Sequence, residues 1–77
     1  MSVYTICYEA CDTRERKVLE TWNSLACARW YYDKLQKHDI KQPKLGIKTS
    51  NYGHVKLIRY TENGMKVLSW YVMRNDA

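Results

Sequence analysis

The sequence is poor in the residues from which several kinds of functional site are built. It contains no Phe, one Pro, two His, three Gly and three Cys. The glycines are isolated from one another along the chain, at Gly46, Gly53 and Gly64. This spacing excludes a glycine-rich loop that cradles phosphate groups. No apolar run is long enough to span a membrane, so a transmembrane helix is excluded as well.

Cysteine is too scarce for a disulfide framework, and its spacing fits no zinc motif. Cys7, Cys11 and Cys27 form an odd, unevenly spaced set. Within a strand, Cys7 and Cys11 would be ~13 Å apart, too far to share one ion. The N-terminal segment has neither the basic region nor the apolar run of a secretory signal. We therefore expect reduced thiols, no metal site and a cytoplasmic location.

Catalytic groups are equally sparse. Cys27 and His38 fall on roughly the same side of the predicted helix, but their separation along its axis is ~16 Å. A nucleophile and its base need hydrogen-bond contact. Pairing of Cys7 or Cys11 with His54 is left open, because no spacing in the sequence favours it. No carboxylate pair stands out, so we expect a protein that is not an enzyme and needs no cofactor.

Tyrosine and tryptophan supply most of the apolar bulk. Seven Tyr and three Trp stand where other small domains also use Phe, so every ring carries a polar atom that needs water or a partner. We therefore expect an amphipathic sheet. The chain of 77 residues predicts a single domain, 1–77, near the lower size limit for a self-sufficient core. A homodimer that adds core area is left open.

Positive charge is concentrated after residue 23. The net charge is +5, yet residues 1–23 carry three cations against four carboxylates. Such a basic region can attract nucleic acid or an acidic protein, or it can be a solvated face that keeps a small protein soluble. Its densest part is formed by five lysines: Lys34, Lys37, Lys41, Lys44 and Lys48.

Residues 22–40 predict the only long helix. Ser24 is a good N-cap, because its hydroxyl can accept a hydrogen bond from the first turn, and Asn23 is the alternative. Four residues form an apolar stripe that should lie on a sheet: Leu25, Ala28, Tyr32 and Leu35. Trp30 falls on the opposite side with Lys34 and Lys37. There it either packs under a loop or lysine stems, or serves as a contact residue.

The rest of the chain predicts strands. Alternating β-branched and aromatic residues indicate strands at 3–10, 17–22, 45–49, 54–61 and 65–73. Asn51-Tyr52-Gly53 resembles a turn with Gly53 at positive φ. Asn63-Gly64 is typical of a two-residue type I′ hairpin turn. The sequence therefore predicts an α+β fold of order ββαβββ, an antiparallel sheet with one helix packed on one face.

The Asn63-Gly64 turn also predicts a register. It places Leu57 opposite Trp70 and Val55 opposite Val72, on an apolar face that should meet the helix. The outward face would then carry Lys56, Ser69, Tyr60 and Tyr71. An outward surface of Tyr and Lys is either ordinary solvated sheet or a platform for stacking and phosphate contact.

The first hairpin leaves its buried face undecided. Tyr4, Ile6 and Tyr8 lie on one side of the strand, while Val3, Thr5 and Cys7 lie on the other. Both sets are sufficiently apolar, so alternation alone does not choose between them.

The order of these elements resembles small phage-encoded anti-CRISPR inhibitors: a hairpin, a helix entered through a serine cap, and a meander closed by Asn63-Gly64. Residues 3–35, with the cap Trp22-Asn23-Ser24-Leu25, are also similar to the arm-binding domains of phage integrases. The integrase resemblance ends at the C-terminal meander, and the catalytic domain of an integrase has no counterpart in these 77 residues. The first resemblance implies a non-enzymatic blocker that occupies a surface of a host complex, often one shaped to hold nucleic acid.

We therefore expect a small, non-enzymatic phage or mobile-element protein that binds and inhibits or modulates a host protein or protein–nucleic-acid complex. Its expected partner-binding residues are Trp30, Lys34, Lys37, Lys56, Tyr60 and Tyr71. The alternative is a sequence-tolerant module that contacts DNA or RNA through Lys34, Lys37, Lys41, Lys44 and Lys48 and stacks bases on tyrosine. A third possibility is a structural subunit that self-associates through the tyrosine face.

Overall fold

The computed structural model describes residues 1–46 and 52–74. Its elements are β1 (Val3–Ala10), β2 (Arg16–Trp22), α1 (Leu25–Gln36), β3 (Tyr52–Thr61) and β4 (Gly64–Arg74). The strands form one antiparallel sheet in the order β2-β1-β3-β4. The fold is therefore α+β, as predicted, but its element order is ββαββ and the predicted order ββαβββ is wrong.

The strand predicted at residues 45–49 accounts for this difference. Leu45 and Gly46 belong to no strand, and residues 47–49 lie outside the described part of the chain. Gly46 has φ +70°, which extended backbone does not allow. Leu45 is buried in the core, and Lys17 Nζ donates a 2.6 Å hydrogen bond to the carbonyl of Lys44. Leu45, which suggested a strand because it is apolar, instead packs in the core from the connection between α1 and β3.

Helix α1 begins and ends at well-defined caps. Ser24 has extended backbone, and its hydroxyl accepts a 3.3 Å hydrogen bond from the amide of Cys27, which confirms the predicted N-cap. At the other end His38 adopts φ +58°. The amide of His38 donates to the carbonyl of Leu35, and that of Asp39 donates to the carbonyl of Lys34. This is a Schellman motif, so the helix ends earlier than the predicted residue 40.

The predicted apolar stripe of α1 does face the sheet. Ala28, Tyr32 and Leu35 are buried, and Leu25 and Tyr31 pack beside them. These side chains meet the core residues of the central strands, chiefly Ile6, Tyr8, Val55 and Leu57. The core therefore lies between α1 and the sheet.

From Thr5 to Ala10, strand β1 is buried on both faces, and it lies between β2 and β3. Ile6 and Tyr8 face the helix, and this decides which side of the first hairpin is buried in the core. Cys7 faces the other way, yet only 1% of it is exposed. Cys7 is flanked by Val18 on β2 and Lys56 on β3, so neighbouring side chains shield it.

The register between β3 and β4 differs from the predicted one. The two turn residues are Glu62 and Asn63, and Thr61 lies opposite Gly64, which has φ +125°. Further along, Ile58 pairs with Val67 but Leu57 pairs with Ser69. The intervening residue of β4 is the extra residue of a β-bulge.

The bulge reverses the faces of the second half of β4. Beyond it, Trp70 lies opposite Lys56 and Val72 lies opposite His54, both on the side away from the helix. Tyr71 and Ser69 face α1 instead of solvent. The predicted faces for these four residues are therefore wrong, because one inserted residue exchanges the two sides of a strand.

Gly53 lies in β3 and does not form a turn. Tyr52 and Gly53 are the first residues of the strand, while Asn51 lies outside the described residues. A Cβ at Gly53 would collide with the ring of Tyr8. The glycine is therefore required by a close approach across the sheet, and the predicted turn is wrong here.

We expect Gly53→Ala to lower the free energy of unfolding by roughly 1–3 kcal/mol, because the added methyl group must displace the Tyr8 ring. Urea denaturation of the purified protein measures this loss. In a Tyr8→Leu background the added cost of Gly53→Ala should shrink by at least about 1 kcal/mol. Additive costs would show that the ring is not the obstacle.

Candidate functional site

The sheet face opposite α1 has no covering element among the described residues. We call it the open face, and it is formed by Val18 of β2, the buried Cys7 and Glu9 of β1, His54, Lys56, Ile58 and Tyr60 of β3, and Met65, Val67, Trp70 and Val72 of β4. Its outer side chains are exposed although they are apolar. Trp70 is 58% exposed, Val18 57% and Val72 55%. The exposed apolar residues of β4 follow one another along one side of that strand, and a row of this kind is a common mark of an interaction site.

Trp70 is held in place by its neighbour on β3. The imidazole of His54 meets the indole edge-on, with ring centroids 5.0 Å apart and planes at 84°. Together with Lys56 and Val67, these rings line a depression of about 370 Å³ on the open face. The largest exposed ring of the open face therefore has a defined position beside a concavity, which suits an anchor residue.

A partly buried ion pair lines this depression. Lys56 Nζ donates to Glu9 Oε1 at 2.6 Å, and Arg16 reaches the other carboxylate oxygen at 3.8 Å. The hydrogen bond from Lys56 is the main cause that lowers the pKa of Glu9, and the nearby positive charges add to it. Burial acts in the opposite direction and is outweighed. The negative charge of Glu9 is therefore balanced by Lys56 and Arg16, although the side chain is buried.

A thiol and an imidazole meet at the edge of the open face. Cys11 Sγ lies 3.8 Å from His54 Nδ1, and Cys11 is exposed. This is one of the pairings that the sequence left open. Cys7, the other candidate, is buried, and burial is the main cause that raises the pKa of its thiol.

Trp30 forms a second exposed aromatic site, on α1. It is 56% exposed and lines a shallow apolar depression of about 320 Å³ with Trp22, Ala26 and Cys27. One turn further along, Lys34 Nζ lies 3.9 Å from a carboxylate oxygen of Asp39.

The six predicted partner-binding residues do not form one surface. Trp30, Lys34 and Lys37 belong to α1 and its C-cap, whereas Lys56 and Tyr60 belong to the open face. Tyr71 faces the core: its ring lies 5.4 Å from that of Tyr32, and burial strongly raises the pKa of its hydroxyl.

The sequence analysis did not predict the exposure of Trp70, Val72 and Val18 on the open face. A signal for it exists in β4, where residues 67–73 are almost continuously apolar. A strand that is solvated on one face would alternate, so this run indicates two apolar faces.

The lysines of the nucleic-acid alternative lie in and after α1. Lys34 is half-buried, while Lys37, Lys41 and Lys44 are exposed. Lys48 lies outside the described residues. Lys34 lies in the last turn of α1 and the other described lysines follow the helix, whereas Tyr60 lies on β3.

Residues 1–46 and 52–74 contain neither a metal-binding cluster nor a membrane-spanning helix. No cluster of three or more His, Cys, Asp or Glu side chains there could hold a metal ion. No helix within those ranges is both long enough and apolar enough to cross a membrane.

Comparison of the chain with protein-family models, with curated proteins and with solved structures gave no match.

The stability of the protein should depend on the charge of Glu9. Because the folded state lowers its pKa, the stabilisation is fully present above about pH 4.5 and is lost as the pH falls through the folded-state pKa. Between about pH 6 and pH 3, wild-type protein should lose more free energy of unfolding than Glu9→Gln. Urea titrations at several pH values measure the difference, and parallel curves would contradict the prediction.

The two core tyrosines should respond oppositely to loss of the hydroxyl. Tyr32 Oη shares a 2.9 Å hydrogen bond with Ser69 Oγ, so Tyr32→Phe should cost about 1 kcal/mol. The buried hydroxyl of Tyr71 has no hydrogen-bond partner among the described residues, so Tyr71→Phe should be neutral or stabilise by about 1 kcal/mol. Thermal and urea unfolding of both variants test this, and equal losses would refute it.

Proposed function

We propose that this chain is a non-enzymatic binding protein that docks a partner protein on its open face and thereby inhibits or modulates that partner. The observation that supports this proposal is the exposed apolar surface around Trp70, on a sheet whose other face is already covered by α1. Burial of the exposed Val, Met and Trp side chains by a partner removes apolar surface from water, which lowers the free energy of the complex. A surface that brings them together is therefore suited to association.

Trp70 is the natural centre of such an interface. Tryptophan is enriched among residues that dominate binding energy, particularly where neighbouring side chains already fix the ring. His54 supplies that fixation from β3. The Glu9–Lys56 pair beneath it is already satisfied within the chain, so a partner need not compensate a buried unpaired charge.

The class of partner is supported by the resemblance to small phage-encoded inhibitors. Those proteins block a host protein or a protein–nucleic-acid complex, and a mobile-element origin of this chain fits the same role. The net charge of +5 favours a partner whose own surface is acidic or is shaped to hold nucleic acid. Lys56 on the open face and Arg16 beside it supply two positive charges against the one negative charge of Glu9.

The alternative function makes a different prediction. A nucleic-acid module built on the lysines around the end of α1 would bind labelled mixed-sequence duplex DNA, and its affinity would fall steeply with salt. A docking protein that uses an apolar face would retain most of its affinity as salt rises.

Two tryptophans with nearly equal exposure provide a matched test of the proposed surface. Trp70→Ala should weaken binding of the captured host partner roughly thirtyfold or more, as expected for an anchor residue. Trp30→Ala should change it by less than about threefold. Immobilised wild type and both variants are compared by quantitative mass spectrometry of the bound host proteins, followed by titration of the partner that discriminates between them.

Three results would overturn the assignment. Equal capture of the partner by wild type and Trp70→Ala would exclude the open face as the binding site. Loss of partner binding with Trp30→Ala alone would assign the site to α1. Concentration-dependent dimerisation abolished by Trp70→Ala would make a second copy the occupant. Urea unfolding of each variant confirms that lost binding does not reflect lost folding.

A further inference from the structure

The contact between Cys11 and His54 is built by the sheet. Cys11 follows β1 directly, and its amide donates a 3.1 Å hydrogen bond to the carbonyl of Tyr52 at the start of β3. Ala10 and Gly53 pair just inside this bond. The extended ladder fixes both backbones, and it brings Cys11 Sγ to 3.8 Å from His54 Nδ1.

The imidazole is also oriented from its other side. The ring of Trp70 packs edge-on against His54, which limits rotation of the imidazole away from the thiol. A small depression of about 110 Å³ opens over the pair and is lined by Glu9, Ala10 and Arg14 as well. The thiol is thus exposed, contacts a proton acceptor and adjoins a space that a small reagent can enter.

We propose that Cys11 and His54 form a reactive thiol–imidazole pair that undergoes exchange with small disulfides. This chemistry is independent of the proposed docking function. It requires the imidazole tautomer with its proton on Nε2, so that the Nδ1 lone pair faces Sγ.

The exchange balances without a further reactant. The thiol proton of Cys11 passes to His54 Nδ1, and the thiolate attacks one sulfur of the disulfide. The S–S bond of the reagent breaks as the new S–S bond to Cys11 forms. The departing thiolate takes the proton from His54 and leaves as a thiol. Cys11 is oxidised to a mixed disulfide, and the released half of the reagent is reduced.

The chain supplies its own control cysteines. Cys27 is exposed like Cys11, but it borders an apolar depression that is lined by Trp22, Ala26 and Trp30. Cys7 is buried and should react only when the protein opens. A difference between the reaction rates of Cys11 and Cys27 therefore reports the neighbouring His54 and not exposure alone.

The test uses the chromogenic disulfide dithiobis(nitrobenzoate) on the full folded chain. Cys27→Ser leaves Cys11 as the exposed thiol, and Cys11→Ser leaves Cys27. We expect Cys11 to react at least about fivefold faster than Cys27 near neutral pH. Adding His54→Gln to Cys27→Ser should bring the rate of Cys11 to within about twofold of Cys27. Equal rates of the two exposed thiols, or a rate unaffected by His54→Gln, would overturn the proposal.

Comparison of folded and unfolded protein tests the pair even where His54→Gln perturbs folding. In the variants that retain His54, the ratio of the Cys11 rate to the Cys27 rate should fall to about one in urea above the unfolding transition, because unfolding separates Cys11 Sγ from His54 Nδ1, which lie 3.8 Å apart in the folded chain. A ratio that stays above about fivefold in the unfolded protein would refute the pairing. Slow reaction of Cys7 in the folded samples shows that the fold remains closed.

Discussion

Most of this structure depends on the pairing of β1 with β3. That pairing places β1 inside a four-stranded sheet, where the strand is buried on both faces from Thr5 to Ala10. Helix α1 covers one face. The other is shielded only by side chains of the flanking strands, and there β1 carries both a thiol and a carboxylate. Glu9 is tolerated at this position because Lys56 lies within hydrogen-bond distance on the neighbouring strand.

A single short helix cannot cover a four-stranded sheet on both sides. The chain uses α1 for the face that includes Ile6 and Tyr8, and it leaves Val67, Trp70 and Val72 on the other face exposed. A monomer gains no stability from apolar side chains that remain in water. Because α1 leaves these side chains uncovered on one face, that face is suited to the proposed docking role.

The use of tyrosine where phenylalanine would fit has a cost in the core. Tyr32 satisfies its hydroxyl through Ser69, but the hydroxyls of Tyr8 and Tyr71 are buried without a hydrogen-bond partner in the described structure. Burial raises the pKa of both groups. These rings pack well and are nevertheless less favourable than their apolar equivalents at the same positions.

Local signals in the sequence predicted the local structure well. The Ser24 cap, the apolar stripe of α1 and the bounds of β1 depend on residues close together in the chain. The bulge in β4 was not predictable, because residues on both sides of the strand are apolar and alternation cannot reveal a change of face.

Long-range contacts account for the remaining errors. Gly53 resembles a turn residue in the sequence, but it is required because the Tyr8 ring lies over it. Cys11 and His54 are in contact although they are 43 positions apart in the sequence. The candidate site could therefore be predicted only in part. Lys56 and Tyr60 were placed on the correct face, whereas Trp70 was not.

The strand order also governs how the chain folds. The two central strands lie far apart in the sequence, and α1 stands between them. The hairpin of β1 and β2 and the hairpin of β3 and β4 can each form from nearby residues, but the sheet closes only when the two hairpins meet. Closure of that long loop costs chain entropy before any β1–β3 contact repays it. Until then the helix stripe and one edge of each hairpin stay exposed, and the nascent chain passes through an interval in which its edges are open to other chains.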